Sequence, residues 1–325
     1  EISECLVGSE MCIRDRCIED PDEPKDPETP HFIPAYSQKV KASKEFQTFQ
    51  FDHSFVLNSL KSSMEGYVFH NQPLDTDDLL EQTVKLFNSC KTSLELFDML
   101  HNMRAYDDST YAHSLNVALI CRRIGKWLKV DAATLDTLTL CGLLHDIGKL
   151  KIPDEILNKP DKYTDEEFDL VKRHTKFGYE LLKTLNIDPH IKKAALLHHE
   201  RCDGSGYPLK ATQKDLDDFS MVVAIADVYD AMTAARSYRA PLCPFQVIER
   251  FEQEGLQKYK PKFILTFLQH IASTYQNNRV LLSNGQSANI VMLNQQHLAR
   301  PIVQLNDNSC IDLSTRLDLH IQSIL

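Results

Sequence analysis

The most specific stretch of this sequence is residues 198–208, which read HHERCDGSGYP. Two consecutive histidines and a glutamate close an apolar segment and lead directly into a glycine-rich turn. A tight turn would account for Gly204 and Gly206, but it gives no reason for the histidine pair. Because imidazole is a common metal ligand, the stretch predicts a candidate metal site at the end of a helix.

Two other stretches combine acids or histidines with apolar residues. Residues 145–149 read HDIGK, and residues 224–239 read AIADVYDAMTAARSYR. A carboxylate inside an apolar segment, such as Asp227, is costly to bury unless a cation pairs with it. The pair His145–Asp146 is weaker evidence alone, because a helix end at the surface explains it equally well.

Two single histidines complete the candidate set. His113 lies close to Leu115 and Val117, and His174 lies in a segment of helical periodicity. Either histidine alone is more often a core residue than a ligand. They become candidate ligands because the two histidine-containing pairs and Asp227 occur in the same region of the chain.

The central part of the chain has helical periodicity almost throughout. A helix is predicted over residues 111–128, and Asp131 is predicted to cap the helix that follows. Thr164 and the glutamate three residues later form a capping box. That capping box predicts one helix that carries His174 and continues to Leu185.

Composition and pattern divide the chain into five parts. We interpret residues 1–16 as a non-native segment, because they match nothing around them, and residues 17–36 as an acidic, Pro-rich linker. An N-terminal helical region over 37–104 leads into the catalytic domain, predicted over 105–276. Residues 277–325 contain short β-branched segments and predict a small β-rich C-terminal extension. A domain upstream of the linker is a candidate missing part, and the terminal regions are candidate surfaces for a homo-oligomer or a signalling partner.

The net charge is −10 and the isoelectric point is about 5.7, so the chain is a poor candidate for binding long DNA or RNA. Its nine cysteines are scattered and form no CxxC pair, which is typical of a reducing compartment. No apolar run approaches the ~20 residues that a membrane span requires. These features predict a cytoplasmic protein without a membrane span.

Together, the three stretches resemble the signature blocks of the HD-GYP family, and they occur in the order found in that family. The resemblance covers about residues 106–261. It implies a mainly α fold, the helical bundle of the HD superfamily, here with the small β-rich appendage. It also implies a phosphodiesterase that cuts a cyclic dinucleotide.

The resemblance further implies a metal site. Its ligands would be His113, His145, Asp146, His174, His198, His199 and Asp227, with Asp146 at the position that bridges two ions in the family. Imidazole with carboxylate suits Fe or Mn better than a structural zinc. Ser109 stands where some members have a glutamate that holds a third metal. Because serine is a poor cation ligand, we expect two divalent ions.

The catalytic residues implied are Asp146 and Lys149. Lys149 would place a positive charge beside the phosphate or protonate the leaving oxygen, and its alternative is an exposed lysine at a helix end. Arg236 and Arg239 resemble positions that hold the ligand's phosphates, and their alternative is a pair of solvated surface arginines. Each of these roles depends on how the residues are arranged around the metal site.

The remaining substrate contacts implied are Gly206, Tyr207 and Pro208. Tyr207 would stack on or hydrogen-bond the nucleotide from a loop that Gly204 and Gly206 make mobile. The alternative is a plain tight turn.

The expected reaction is hydrolysis of cyclic di-GMP to linear pGpG, with GMP as a further candidate product. Three alternatives remain: a phosphodiesterase for cyclic GMP-AMP, a general nucleotidase of the HD superfamily, and a non-catalytic receptor for a cyclic dinucleotide. The second histidine pair and the Gly-Tyr-Pro loop argue against the nucleotidase. The complete ligand set argues against the receptor, because degenerate members would have lost ligands.

Overall fold

The structure is a computed structural model that describes residues 35–103, 109–159, 161–234 and 242–325. Most of these residues are helical, as the sequence predicts. The helices are α1 (Ala35–Ala42), α2 (Lys44–His70), α3 (Thr76–Ser89), α4 (Ser93–Met103), α5 (Thr110–Trp127), α6 (Ala132–Leu144), a 3-10 helix (Ile147–Lys151), α7 (Asp154–Leu157), α8 (Asp165–Lys172), α9 (His174–Leu182), α10 (Pro189–Leu197), α11 (Asp218–Thr233), α12 (Pro244–Lys258) and α13 (Pro261–Thr274). No helix in these ranges is long and apolar enough to cross a membrane.

The predicted helix caps are confirmed. Asp131 accepts a hydrogen bond from the backbone N–H of Thr134, at 2.9 Å, and begins α6. Thr164 begins α8 through the predicted capping box. The prediction of a single helix that continues to Leu185 is wrong, because α8 ends at Lys172 and α9 begins at His174. We attribute this break to a tertiary contact, since the backbone of the 3-10 helix lies directly against the first turn of α9.

The centre of the bundle consists of α5, α6 and α11, which pack on one another. Helices α5 and α6 approach closely at Gly142, where an added Cβ would lie 2.5 Å from the Cα of Ala118. This close packing brings three chain positions together: the first turn of α5, the end of α6 and the middle of α11. All three positions carry predicted metal ligands.

The C-terminal extension is one antiparallel sheet with strand order β4-β3-β2-β1-β5. Its strands are β1 (Arg279–Leu282), β2 (Ser287–Met292), β3 (Ile302–Leu305), β4 (Cys310–Asp312) and β5 (Ile321–Ile324). The sequence segments that predict strands correspond to β1 to β4, and β5 was not predicted. The C-terminal extension contacts α12 through Arg300, in the loop before β3, whose Nη2 lies 2.7 Å from Oε1 of Glu249.

One buried acid in the N-terminal helices gives a pH-dependent stability. Burial raises the pKa of Asp98 to about 6 from 3.8, and the hydrogen bond from the Tyr36 hydroxyl opposes that rise only in part. Because the pKa is raised on folding, this contribution to stability is present below about pH 4 and is lost as the pH rises through about 6.

We therefore expect Asp98→Asn to have a higher free energy of unfolding than the wild type at pH 8, by up to about 3 kcal/mol. The variant should accordingly unfold at a higher urea concentration. Near pH 4 the advantage should largely disappear, because the wild-type carboxyl is then also neutral. Urea denaturation of both proteins at the two pH values measures the difference. An advantage of equal size at both pH values would contradict this account.

Candidate metal centre

The seven predicted ligands come together in one buried cluster. They come from five places in the fold: the first turn of α5, the end of α6, the start of α9, the end of α10 and the middle of α11. Six of the seven side chains are at most 4% exposed, and the side chain of His113 is 16% exposed. Burial of so many ionisable groups in one place is costly unless they bind something charged.

Four of the histidines are oriented in the same way. The Nδ1 atoms of His145, His174 and His198 lie 2.7–2.9 Å from backbone carbonyls, namely those of Gly142, Val171 and Ala194. A carbonyl can only accept, so each Nδ1 carries the proton and each Nε2 keeps its lone pair. The Nδ1 of His113 also donates a hydrogen bond, with a carboxylate in place of the carbonyl. A ring nitrogen with a free lone pair is what a metal requires of histidine.

The Nε2 atoms of these four histidines converge on Asp146. Its Oδ1 lies 3.4 Å from Nε2 of His174 and 3.6 Å from Nε2 of His198. Its Oδ2 lies 3.2 Å from Nε2 of His145 and 3.7 Å from Nε2 of His113. The ligand atoms therefore form two groups that share this carboxylate. One group is Asp146 with His174, His198 and His199, and the other is Asp146 with His113 and His145.

Asp227 lies between the two groups. Its Oδ1 is 3.0 Å from Nε2 of His113, and its Oδ2 is 3.7 Å from Nδ1 of His199. Several polar atoms of the cluster are buried without a hydrogen-bond partner among the described residues: Nε2 of His145, Oδ1 of Asp146, both ring nitrogens of His199 and Oδ2 of Asp227. Since unpaired buried polar atoms are expensive, this donor set fits divalent cations well.

The protonation states also fit a cation. Burial lowers the pKa of His174 to about 3, and it lowers the pKa of His198 and of His199 as well, so these rings are neutral near pH 7. Burial alone would raise the pKa of Asp146. The positive charge of Lys149, together with the electrostatic and hydrogen-bond interaction with His145, outweighs it and holds that pKa well below its usual range. Neutral imidazoles around an ionised carboxylate are the form in which these groups bind metal.

Asp230 is a part of the site that the sequence interpretation missed. Its Oδ2 accepts the Nδ1–H of His113 at 2.8 Å, and its side chain is buried. Burial would lower the pKa of His113, but the hydrogen bonds with Asp227 and Asp230 raise it to about 9. The position therefore favours positive charge. The sequence gives only part of the signal: Asp230 lies three residues after Asp227 and hence on the same side of α11, but this spacing does not identify His113 as its partner.

We expect Asp230→Ala to weaken metal binding by about 10–100-fold, because such a carboxylate fixes the orientation of its histidine. Titration with Mn²⁺, followed by the electron paramagnetic resonance signal of the free ion, measures this affinity. Asp218→Ala is the matched control, because Asp218 lies on the same helix but is exposed. Equal Mn²⁺ affinity for the two variants would show that Asp230 does not support His113.

The loop after the histidine pair is packed tightly against it. An added Cβ on Gly206 would lie 2.4 Å from the Cα of Glu200 and 2.5 Å from the carbonyl oxygen of His199. The sequence interpretation assigned mobility to this glycine, whereas the structure uses it for close approach. The buried carboxylate of Glu200 accepts the backbone N–H groups of Leu209 and Ala211, at 2.5 and 3.0 Å. Glu200 thereby closes the loop.

The predicted substrate residues differ in position. Tyr207 is 8% exposed, and its ring centroid lies 4.7 Å from that of His199, so it packs beside the cluster. Pro208 follows it and is half-buried. Arg236 and Arg239 lie outside the described residues. The substrate role of these residues stays a prediction.

Lys149 lies at the site, where its Nζ is 2.6 Å from Oδ2 of Asp146 and its side chain is 17% exposed. It is therefore not simply an exposed lysine at a helix end. Ser109 acts as the N-cap of α5, where its hydroxyl accepts the backbone N–H of Ala112 at 3.2 Å. This position has a structural role at the edge of the site.

Comparison with known proteins gives a family match. A sequence model of the HD domain matches residues 78–263. The chain is 34% identical over 183 residues to the 3′3′-cGAMP-specific phosphodiesterase 2 of Vibrio cholerae, covering 55% of this chain and 35% of that protein. It is 32% identical over 207 residues to a cyclic di-GMP phosphodiesterase of Pseudomonas aeruginosa, covering 63% of this chain and 50% of that protein.

A cyclic di-GMP phosphodiesterase of Thermotoga maritima is 35% identical over 178 residues, with coverage of 54% of this chain and 48% of that protein. The chain thus spans between 35% and 50% of the length of these curated relatives. Among solved structures, an HDGYP protein from Bdellovibrio bacteriovorus superposes with a TM-score of 0.49 at 18% identity, covering 72% of this chain and 74% of that one.

Proposed function

Because this chain belongs to the HD domain family, we propose that it is a metal-dependent phosphodiesterase that hydrolyses a cyclic dinucleotide. Cyclic di-GMP is the first candidate substrate. The observation that carries the proposal is the buried cluster in which two groups of ligand atoms share Asp146. The names of the relatives in Pseudomonas aeruginosa and Thermotoga maritima support the substrate class.

Two divalent cations, Fe or Mn, would be held by this cluster. His174, His198 and His199 would hold one, His113 and His145 the other, and Asp146 would contact both. Bound cations of this kind neutralise phosphate charge and make a water molecule more acidic. The chain's own contribution is to fix the five imidazoles and two carboxylates in advance. Such preorganisation leaves little rearrangement for the moment of reaction.

The reaction adds the elements of water across one phosphodiester bond. The oxygen of water bonds to phosphorus, the bond from phosphorus to the 3′ oxygen breaks, and the 3′ oxygen takes up a proton. Lys149 is the candidate donor of that proton, because its ammonium group lies 2.6 Å from the Asp146 carboxylate and its side chain is 17% exposed.

We expect Lys149→Met to lower kcat by about 10²–10⁴-fold while Mn²⁺ affinity and KM change little, since general acids contribute in this range. Lys151→Met is the matched control. That lysine lies on the same 3-10 helix, but its Nζ contacts the backbone carbonyl of Val68 and not the cluster. Steady-state kinetics of both variants test the assignment. A wild-type kcat for Lys149→Met would remove Lys149 from the mechanism.

The substrate is tested by incubating Mn²⁺-loaded protein, prepared at low oxygen, with cyclic di-GMP and separately with cyclic GMP-AMP. Chromatography separates intact nucleotide, linear dinucleotide and mononucleotide. We expect cyclic di-GMP to be converted to pGpG, and any accumulation of GMP would show a second cleavage. Faster cleavage of cyclic GMP-AMP would reassign the substrate, and the similarity to the Vibrio cholerae relative gives this alternative a specific basis.

A non-catalytic receptor would give a different result in the same experiment. Fully metal-loaded protein would then bind the nucleotide and leave it intact. The complete ligand cluster favours the enzyme. We also propose the cytoplasm as the location, on the basis of the odd number of scattered cysteines in the sequence.

A further inference from the structure

Arg201 lies two residues after the histidine pair, separated from it by Glu200, and its side chain is fully buried. Its charge has no use in the proposed reaction. Its Nε and Nη2 atoms have no hydrogen-bond partner among the described residues, and no carboxylate in those ranges pairs with it. A buried cation without an ionic partner is costly, so the contacts that it does make require an explanation.

The guanidinium group fixes the backbone around the histidine pair. Its Nη1 donates to the carbonyl oxygen of His198 at 3.2 Å and to that of Glu200 at 2.7 Å. Helix α10 ends just before, at Leu197, so these carbonyls lack the donors that a continuing helix would supply. A cation is favourable at this end of a helix. The carbonyl of His199, between them, accepts the backbone N–H of Tyr207 at 3.2 Å.

The same side chain joins this backbone to α12. The guanidinium carbon lies 5.2 Å from the ring centroid of Tyr259, a buried residue that immediately follows α12. The backbone N–H of Cys202 donates to the carbonyl of Lys258 at 2.8 Å. A main-chain contact therefore joins the same two segments as the side-chain contact of Arg201 with Tyr259. A guanidinium on an aromatic face is attractive, and more so where water is excluded.

We propose that Arg201 is a positioning residue of the metal centre, which holds the backbone of His198 and His199 in register with α12. The inference rests on the proposed function, because the property that Arg201 controls is the affinity of these two histidines for a divalent cation. Ligand positions must be held within a few tenths of an ångström, and a residue outside the ligand set can provide this. An ion pair between Glu249 and Arg300 joins α12 to the C-terminal extension.

The test is Mn²⁺ titration of the full chain, with the free ion followed by electron paramagnetic resonance. We expect Arg201→Met to lower the affinity for one of the two ions by about 10–100-fold. This is the ion assigned to His174, His198 and His199. The ion assigned to His113 and His145 should be little affected. Arg201→Lys keeps a cation and one donor, so it should retain more of the affinity than Arg201→Met.

A purely structural role predicts a different pattern: a lower Tm of the metal-free protein with unchanged Mn²⁺ affinity of the folded fraction. That pattern would overturn the proposal. If Arg201→Met does not fold, the pair Tyr259→Phe and Tyr259→Leu decides. Only the leucine removes the aromatic face, so weaker Mn²⁺ binding by Tyr259→Leu alone supports the proposal, and equal binding overturns it.

The wild-type titration distinguishes failure of the proposed function from failure of the role assigned to Arg201. If the wild type binds no Mn²⁺, the proposed function itself fails. If the wild type binds two ions and Arg201→Met binds them equally well, only the role of Arg201 is overturned.

Discussion

Asp146→Asn is expected to abolish hydrolysis of cyclic di-GMP, with a loss on the order of a thousand-fold or more. The carboxylate belongs to both groups of ligand atoms, and its two oxygens face four histidines. Asparagine keeps the shape but provides one neutral oxygen and an N–H₂ group that no cation binds. The variant should therefore lose both ions together. Most other substitutions in the cluster should lower the affinity for only one of them.

Metal-dependent stabilisation gives an independent measurement of the same change. A ligand that binds only the folded state raises Tm, so excess Mn²⁺ should raise the Tm of the wild type and leave that of Asp146→Asn unchanged. Asp136→Asn is the matched control, since it removes an acid from the same helix α6, where Asp136 pairs with Arg122 at its surface. Hydrolysis by Asp146→Asn at a rate near that of the control would contradict the assignment.

Gly148→Ala is expected to disrupt the site without changing any ligand. An added Cβ would lie 1.9 Å from the carbonyl oxygen of His174 and 2.4 Å from the backbone nitrogen of Gly178. These are backbone atoms, so α9 and the 3-10 helix would have to separate. Overpacking of this kind typically costs about 1–3 kcal/mol of unfolding free energy, and occasionally more. His174 would then move away from Asp146, and Mn²⁺ binding should fall with stability.

Gly255→Ala is the control for this substitution. Gly255 is also buried in a helix, but the nearest atoms to an added Cβ lie 3.7 Å away, which is ordinary contact. The alanine should therefore be tolerated and should stabilise α12 by up to about 1 kcal/mol. Urea denaturation and Mn²⁺ titration of both variants test the pair. Wild-type stability and wild-type Mn²⁺ affinity for Gly148→Ala would contradict the packing argument.

The ligands could be predicted from the sequence because they are chemically conspicuous. Without a cation it is costly to bury a histidine pair before a glycine-rich turn, or Asp227 inside an apolar helix. Such a pattern can be recognised from the amino-acid sequence alone. Helix caps such as Asp131 could be predicted for a similar reason, since they depend on residues only three positions apart.

The supporting residues could not be identified in the same way. Asp230 acts on His113 only because α11 packs beside α5, and Arg201 acts only because α10 ends beside α12. The break between α8 and α9 likewise depends on the close approach of Gly148, which has no local signature. Contacts of this kind are set by tertiary packing, and a pattern of residue types along the chain does not contain them.

Metal-dependent hydrolysis is tested most directly by stripping the protein with a chelator and measuring the rate of cyclic di-GMP cleavage as Mn²⁺ is added in known amounts per chain. We expect no cleavage without metal and a rate that rises until about two ions are bound, as for a two-metal site. Cleavage that is independent of added metal, or a fully loaded protein that binds the nucleotide without cutting it, would contradict the account.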